Sequence, residues 1–181
     1  FIFDEVQSGM GLTGKWWAFQ HCGITPDIVC FGKKSQVCGI MATDKLIKVK
    51  DNVFQECSRL NSTWGGNLVD MFRATKYLEI IQSENLVKNA EKMGALIMMH
   101  LDKLQKEFPA KISNVRGKGL MIAFDCKSPE QRHKLLGIMQ KNLMIALPCG
   151  KKSVRFRPPL NISKSEVEKG MEILRKSLMA L

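Results

Sequence analysis

The sequence predicts an α/β fold in which part of a large parallel sheet is followed by connecting helices and a small α+β domain. Two short apolar segments, residues 1–3 and 28–31, flank a loop and a helical segment, which is the order of a parallel-sheet unit. Beyond Asn67, apolar residues recur every three or four positions, the period of an α-helix. We therefore predict three parts, with bounds at residues 1–66, 67–108 and 109–181.

The first part opens with a strand that ends at an acidic pair. Residues 1–3 are apolar and are followed by Asp4 and Glu5, as expected where a buried parallel strand ends at a polar site. Residues 7–14 contain three glycines, which suit a loop near a ligand. Residues 16–22 are expected to form a short helix before the second strand.

Two long helices are predicted in the second part, and short strands and helices in the third. The first helix begins near Asn67, and the second follows Ser83 and ends before Pro109. No glycine and proline linker interrupts them, so we expect them to join two domains rigidly. The third part is predicted to contain strands at 112–115, 120–124, 144–147 and 154–156, a helix at 129–143 capped by Ser128, and a last helix starting at Ser163 or Ser165.

Composition and charge narrow the class of protein. The 181 residues are 45% hydrophobic, enough for a packed core. The net charge of +11 is spread over scattered lysines and Tyr77 is the only tyrosine, whereas nucleic-acid binders concentrate cations and interleave aromatics. We expect no nucleic-acid partner.

Because the chain starts inside an apolar run without Met, we expect it to be the C-terminal part of a longer protein.

The cysteines indicate a reducing environment. None of the six lies in a Cys-x-x-Cys pair, and their spacing fits neither a zinc site nor a disulfide scaffold. We therefore expect no metal and a cytoplasmic location. No apolar run is long enough to cross a bilayer, so no membrane partner is expected.

The ends of the first two strands carry the residues of greatest chemical interest. Asp4 follows the first strand and Lys33 follows the second, and ligands bind beyond the carboxyl ends of parallel strands. A plain ion pair is one interpretation. The combination is also what pyridoxal 5′-phosphate (PLP) requires, namely a lysine that binds it covalently and an acid that keeps its pyridine nitrogen protonated.

Residues 1–9, which read FIFDEVQSG, resemble the signature of the class III aminotransferases. The resemblance continues through residues 11–18 (GLTGKWWA), 25–29 (TPDIV) and 31–34 (FGKK), and it covers essentially the whole chain. Ser8 stands where threonine is common and Met10 is unusual, but neither bears on the cofactor. The resemblance implies a fold type I PLP-dependent transferase that works as a homodimer with shared active sites.

The resemblance also assigns roles to the residues at the strand ends. Asp4 would pair with the pyridine nitrogen, Val6 would pack against the ring, and Gln7 would hydrogen-bond its phenolic oxygen. Lys33 would form the Schiff base with the cofactor and then act as the general base. Lys34 is the alternative nucleophile, and the family pattern favours Lys33.

Two later motifs contribute one candidate each. Thr63, within residues 59–67 (RLNSTWGGN), would donate to the cofactor phosphate in the neighbouring subunit. Arg155, within residues 154–160 (VRFRPPL), resembles the arginine that binds the substrate carboxylate through its planar fork. Arg157 is the competing candidate, since on an alternating strand it shares the face of Arg155. A structural ion pair is the plain alternative for both arginines.

Residues 33–39 (KKSQVCG) and 58–67 are most similar to the lysine 6-aminotransferases of the class. The implied reaction moves the ε-amino group of L-lysine to 2-oxoglutarate, giving 2-aminoadipate 6-semialdehyde and glutamate. Aminotransferases for GABA, ornithine or acetylornithine are the alternatives within the class. A racemase or decarboxylase of the same fold would keep Asp4 and Lys33 but would not need Arg155. Because other cofactor contacts of the family precede this segment, we expect the chain alone to be inactive.

Overall fold

The computed structural model describes residues 1–60 and 63–181. These residues form two compact units. The first unit contains Phe1–Gly11 and Lys15–Leu86, and the second contains Leu12–Gly14 and Val87–Leu181.

A three-stranded sheet forms the centre of the first unit. Strand β1 (Ile2–Asp4) runs parallel to β2 (Ile28–Phe31), and β2 pairs antiparallel with β3 (Gly39–Ala42). The parallel pair confirms the predicted arrangement of the first two strands. The sequence does not predict β3, because its four residues neither alternate in polarity nor carry a run of β-branched side chains.

The helical segments of the first unit begin where local signals place them. A single 3-10 turn, Ala18–His21, stands within the predicted helix at residues 16–22. Helix α1 (Leu68–Ser83) starts after Asn67, whose side-chain oxygen accepts the backbone N–H of Val69 at 2.9 Å. This cap satisfies one of the free N–H groups that every helix start leaves.

Helix α2 (Leu86–Glu107) supplies one side of the core of the second unit. Its buried side chains recur at intervals of three and four residues, as in an amphipathic helix: Ala90, Met93, Ile97, Leu101 and Leu104. Burying a large apolar side chain of this kind contributes about 1.5–3 kcal/mol. Neither α2 nor any other helix in the described ranges is long and apolar enough to span a membrane.

The second unit contains a four-stranded antiparallel sheet in the order β4-β5-β7-β6. Its strands are β4 (Ile112–Lys118), β5 (Met121–Cys126), β6 (Leu147–Cys149) and β7 (Ser153–Phe156). The predicted strand at residues 144–147 is wrong in position, since β6 begins only at Leu147 and contains Pro148. Proline lacks the N–H that a central strand needs, and it is tolerated here because β6 is an edge strand.

Two capped helices complete the second unit. Helix α3 (Pro129–Lys141) starts after Ser128, whose hydroxyl oxygen accepts the N–H of Gln131 at 3.2 Å, as predicted. Helix α4 (Lys164–Met179) starts after Ser163, which forms a capping box with Glu166. This selects Ser163 over Ser165 as the start of the last helix.

Candidate functional site

The carboxyl ends of β1 and β2 lie side by side. The two strands are parallel and Asp4 is the register partner of Cys30, the residue before the last of β2. Lys33 follows Cys30 by three positions, in the turn that leaves β2. The structure therefore brings Asp4 and Lys33 to the same edge of one sheet, the edge at which open α/β sheets bind ligands.

The carboxylate of Asp4 is exposed and is held by the loop that follows β1. Its Oδ1 atom accepts the backbone N–H of Val6 at 3.0 Å. Within residues 1–60 and 63–181, no donor reaches the other oxygen, Oδ2. Val6 and Gln7 follow on this loop, and both are half-buried. The loop thus orients one carboxylate oxygen and leaves the other open to the N–H group of a ligand.

Lys33 has an uncommon backbone conformation. Its φ is +53°, in the left-handed region that side chains other than glycine rarely adopt, and its side chain is exposed. This conformation costs on the order of 1–2 kcal/mol in an L-residue. Such strained residues cluster at ligand-binding and active sites. Lys33 therefore combines a strained backbone with an exposed side chain just after the end of β2.

Lys34 differs from its neighbour in both burial and contacts. It is half-buried, and its Nζ atom donates to the carbonyl oxygens of Gln7 at 2.7 Å and of Gly9 at 2.9 Å. An ammonium group that makes both bonds is not a nucleophile. Of the two adjacent lysines, the geometry therefore favours Lys33 as the reactive one.

Glu5 and Gly9 fix the loop that follows β1. The carboxylate of Glu5 is 1% exposed and accepts the hydroxyl of Ser8 at 2.5 Å and the N–H of Phe19 at 2.8 Å. A Cβ on Gly9 would lie 2.6 Å from the ring of Trp17 and 2.9 Å from the carbonyl oxygen of Glu5, so no larger residue fits. Sequence reasoning missed both structural roles, although the acidic pair at the end of the strand was a visible signal for Glu5.

Thr63 lies in an exposed turn before α1. Two neighbouring residues of its motif, Asn61 and Ser62, lie outside the described residues. The motif ends at Asn67, the cap of α1, so Thr63 is presented close to a helix start. Hydroxyl and free N–H groups at helix starts are suitable ligands for phosphate.

Arg155 and Arg157 line a cavity of about 350 Å³ within the second unit. Arg155 is half-buried on β7, and its Nε atom is buried without a hydrogen-bond partner among the described residues. Burial and then the positive charge of Arg155 lower the pKa of Arg157, so the two guanidinium groups are near neighbours. The other walls are largely apolar and include Ile97, Met144, Phe156 and Val167.

Two cations in an apolar cavity suit an anionic ligand. Among the described residues, Glu166 is the one acidic residue that lines the cavity. Its Oε2 atom accepts hydrogen bonds from the backbone N–H of Ser163 at 2.8 Å and from the hydroxyl of Ser163 at 2.7 Å. These bonds direct the negative charge of Glu166 to the cap of α4. A ligand carboxylate would meet arginine forks in a medium of low polarity, where charge-assisted hydrogen bonds are strong.

Comparison with known proteins gives consistent results. The profile of the family described as Aminotransferase class-III matches residues 1–178. The L-lysine-epsilon aminotransferase of Mycobacterium tuberculosis is 48% identical over 98% of this chain, and the mitochondrial ornithine aminotransferase of Rattus norvegicus is 32% identical over 99%. The solved structure of the lysine aminotransferase from M. tuberculosis superposes with a TM-score of 0.95 at 47% identity over 99% of this chain.

The match covers only part of each relative. This chain spans 39% of the M. tuberculosis sequence, 41% of the rat sequence and 41% of the solved M. tuberculosis chain. The agreement in fold therefore extends over nearly all of this chain and about two fifths of each relative.

Proposed function

This chain belongs to the class III aminotransferases, and on that premise we propose that the full-length protein transfers the ε-amino group of L-lysine to 2-oxoglutarate. The products would be 2-aminoadipate 6-semialdehyde and glutamate. The observation that carries the proposal is the position of Asp4 and Lys33 at one edge of the sheet, on neighbouring parallel strands. A transfer of amino groups from GABA or ornithine is the alternative within the family.

The residues at this edge fit PLP as the cofactor. Bound PLP withdraws electrons from an attached substrate through its protonated pyridine ring. The open Oδ2 of Asp4 suits the ring N–H, and the exposed side chain of Lys33 supplies the amine that binds the cofactor covalently. Val6 and Gln7 sit on the loop that directly follows Asp4, as their proposed contacts to the ring face and the phenolic oxygen require.

In this assignment, the protein residues act by holding and moving protons. Asp4 keeps a proton on the ring nitrogen because the carboxylate stabilises the positive charge there. Lys33, once its amine is released, takes a proton from the substrate carbon that bears the amino group and later returns one. The left-handed backbone of Lys33 and the rigid loop at residues 5–9 supply the fixed geometry that proton transfer needs.

Arg155 is the proposed partner of the substrate carboxylate. Its half-buried position in an apolar cavity and its unpartnered Nε support this role. A bidentate ion pair would fix the orientation of 2-oxoglutarate, which carries two carboxylates. Arg157, beside it, would raise the positive potential of the same cavity.

We also propose a cytoplasmic homodimer in which Thr63 binds the cofactor phosphate of the neighbouring subunit. Helix α1 supports the dimer, because it exposes several large apolar side chains in this chain: Leu68, Val69, Met71, Phe72 and Leu78. Patches of this kind mark surfaces that are covered in the complete assembly.

The six cysteines are all free thiols, which supports the proposed cytoplasmic location, since the cytoplasm is a reducing compartment.

The choice of L-lysine as donor is supported by the higher identity to the lysine-specific relative than to the ornithine-specific one. The test is an assay of glutamate formation by the full-length protein, with 2-oxoglutarate as acceptor and L-lysine, L-ornithine or GABA as donor. We expect kcat/KM for L-lysine to exceed the values for L-ornithine and GABA by at least about tenfold. This ratio corresponds to roughly 1.4 kcal/mol of additional transition-state binding. A higher value for ornithine or GABA would contradict the proposed donor, and the Lys33→Ala variant controls for background turnover.

A further inference from the structure

We propose that Lys34 is a positioning residue that ties the loop after β1 to the turn after β2. The loop carries Val6 and Gln7, and the turn carries Lys33, so the tie sets the distance between two parts of the cofactor site. The inference rests on the proposed function only in assigning these segments to the cofactor. The contact itself is formed between residues of this chain and does not involve the cofactor.

The hydrogen bonds of Lys34 span the two segments directly. Its Nζ atom lies 2.7 Å from the carbonyl oxygen of Gln7 and 2.9 Å from that of Gly9, although 27 and 25 residues separate them in sequence. Both carbonyls belong to the residues that flank Ser8. An ammonium group has three N–H donors, so one side chain can hold both acceptors at once.

Other bonds join the start of the loop to β2 or lie elsewhere in the loop. The N–H of Glu5 donates to the carbonyl of Cys30 at 2.9 Å. The N–H of Gly9 donates to the carbonyl of Glu5 at 2.9 Å, and the Glu5 carboxylate binds the N–H of Phe19. These contacts fix the shape of the loop and attach it to the 3-10 turn at Ala18–His21. The bonds from Lys34 attach the middle of the loop to the turn that carries Lys33, and they therefore help to set where Gln7 lies relative to the reactive amine.

The two adjacent lysines thus have separate tasks. Lys33 projects its exposed amine from a left-handed backbone, and Lys34 uses its ammonium group internally. Removing the ammonium would leave the carbonyls of half-buried Gln7 and buried Gly9 without their charged donor and would make the loop more mobile. The expected consequence is weaker cofactor binding with an unchanged point of covalent attachment.

The test compares three variants of the full-length protein, prepared without cofactor and titrated with PLP. Lys34→Met should raise the Kd for PLP about tenfold, the equivalent of one lost charge-assisted hydrogen bond. Lys34→Gln, which keeps an N–H donor, should raise it roughly threefold. Lys15→Met is the matched control, because the exposed Lys15 donates to the carbonyl of Gln20 outside this loop, at 3.0 Å, and we expect no change.

Hydrogen exchange provides a second measurement that needs neither cofactor nor activity. Backbone amides of residues 5–9 should exchange faster in Lys34→Met and Lys34→Gln than in the wild type, and at the wild-type rate in Lys15→Met. If Lys34→Met does not fold, Lys34→Gln gives both measurements. Wild-type exchange and wild-type Kd in the Lys34 variants would overturn the inference, as would equal losses in Lys15→Met.

The same samples separate this inference from the proposed function. Borohydride reduction of the PLP-loaded protein, followed by peptide mapping, reports which lysine holds the cofactor. In Lys34→Met we expect the label on Lys33, as in the wild type. A wild-type protein that binds no PLP would contradict the proposed function, and the exchange rates at residues 5–9 would still decide whether Lys34 ties the loop.

Discussion

Gly94 in α2 lies against the backbone of Gly119, in the turn between β4 and β5, with no room for a side chain. A Cβ on Gly94 would lie 2.1 Å from the carbonyl oxygen and 2.6 Å from the Cα of Gly119. Gly119 itself has a φ of +52°, and a Cβ there would lie 2.4 Å from the carbonyl carbon of Thr13. The N–H of Leu120 donates to the carbonyl of Leu12 at 2.9 Å, so three backbone segments meet at this point.

The Gly94→Ala substitution should therefore destabilise the protein. The neighbouring atoms are backbone and cannot turn aside, so the added methyl forces a shift that costs about 1–3 kcal/mol. Thermal unfolding of the full-length protein measures the loss as a lower Tm. Gly137→Ala in α3 is the matched control, since no atom lies within 4 Å of the added methyl, and helix propensity should stabilise it by up to about 1 kcal/mol. Equal Tm values for Gly94→Ala and the wild type would contradict this packing.

Ionisation of Asp125 should make the stability of the second unit depend on pH in the acidic range. Burial opposes its ionisation, but hydrogen bonds from Ser153, Asn114 and Arg116 outweigh it and lower the pKa of Asp125 from 3.8 to about 2. A carboxyl whose pKa is lower in the folded state adds stability above its unfolded pKa and loses it as the pH falls through the folded pKa. The contribution is therefore complete above about pH 4 and disappears toward pH 2.

Asp125→Asn tests this directly. We expect a loss of roughly 2 kcal/mol in the free energy of unfolding at neutral pH and a weaker pH dependence between about pH 4 and pH 2. Denaturant unfolding at several pH values measures both effects. Asp102→Asn, an exposed carboxylate on α2, serves as the control and should retain the wild-type pH profile. An Asp125→Asn protein with the wild-type dependence of stability on pH would show that these hydrogen bonds do not stabilise the Asp125 carboxylate.

The two cavity arginines should differ in their effect on substrate binding. Arg155→Gln should raise the KM for 2-oxoglutarate about 10- to 100-fold, because a charge-assisted ion pair of about 1.5–3 kcal/mol is lost. Arg157→Gln should raise it less than about tenfold, since its proposed effect is through the potential of the cavity. Steady-state kinetics with saturating L-lysine gives both values. The reverse order would assign the carboxylate to Arg157.

A charge on the exposed face of α1 should disrupt the proposed dimer. Phe72 is 66% exposed in this chain, and in the proposed dimer a glutamate there would be buried in the interface. Burying an unpaired charge costs several kcal/mol, so we expect Phe72→Glu to raise the dissociation constant of the dimer at least about 100-fold. Sedimentation velocity measures this, with Phe72→Leu as an apolar control. A Phe72→Glu protein that stays dimeric would remove α1 from the interface.

Loss of the dimer should also weaken cofactor binding, because Thr63 is proposed to reach the phosphate of the neighbouring site. In the Phe72→Glu monomer, PLP should dissociate more readily than in Phe72→Leu. Thr63→Val should weaken PLP binding in a dimer of unchanged stability, and Thr63→Ser should retain most of it because the hydroxyl is kept. Equal PLP affinity in Thr63→Val and the wild type would exclude Thr63 as a ligand.

Much of the fold could be predicted from local signals in the sequence. The strand that ends at Asp4, the caps at Asn67, Ser128 and Ser163, and the long amphipathic pattern of α2 each combine a polar signal with a clear period. The failures share a cause: β3 and β6 contain only four and three residues, too few to show a period of alternating polarity, although each pairs with a strand close to it in sequence. Pro148 also argues against a strand, and only its position at the edge of the sheet makes β6 possible.

The chemistry of the candidate site was partly predictable. A carboxylate and a lysine after successive strands predict a shared edge, and the parallel register of Asp4 with Cys30 agrees. The bonds of Lys34 were not predictable, because their acceptors are backbone carbonyls, which every residue has. The left-handed backbone of Lys33 was also not predictable, because a sequence-based prediction would assign that conformation to the adjacent Gly32.

The central claim is that Lys33 holds the cofactor of an aminotransferase, and one measurement tests it most directly. The full-length protein is loaded with PLP, reduced with borohydride and digested, and the modified peptide is sequenced by mass spectrometry. We predict the pyridoxyl mass on Lys33, with none on Lys34 and no covalent label in the Lys33→Ala variant. A label on Lys34 or on another lysine, or an unlabelled wild-type protein, would contradict the claim.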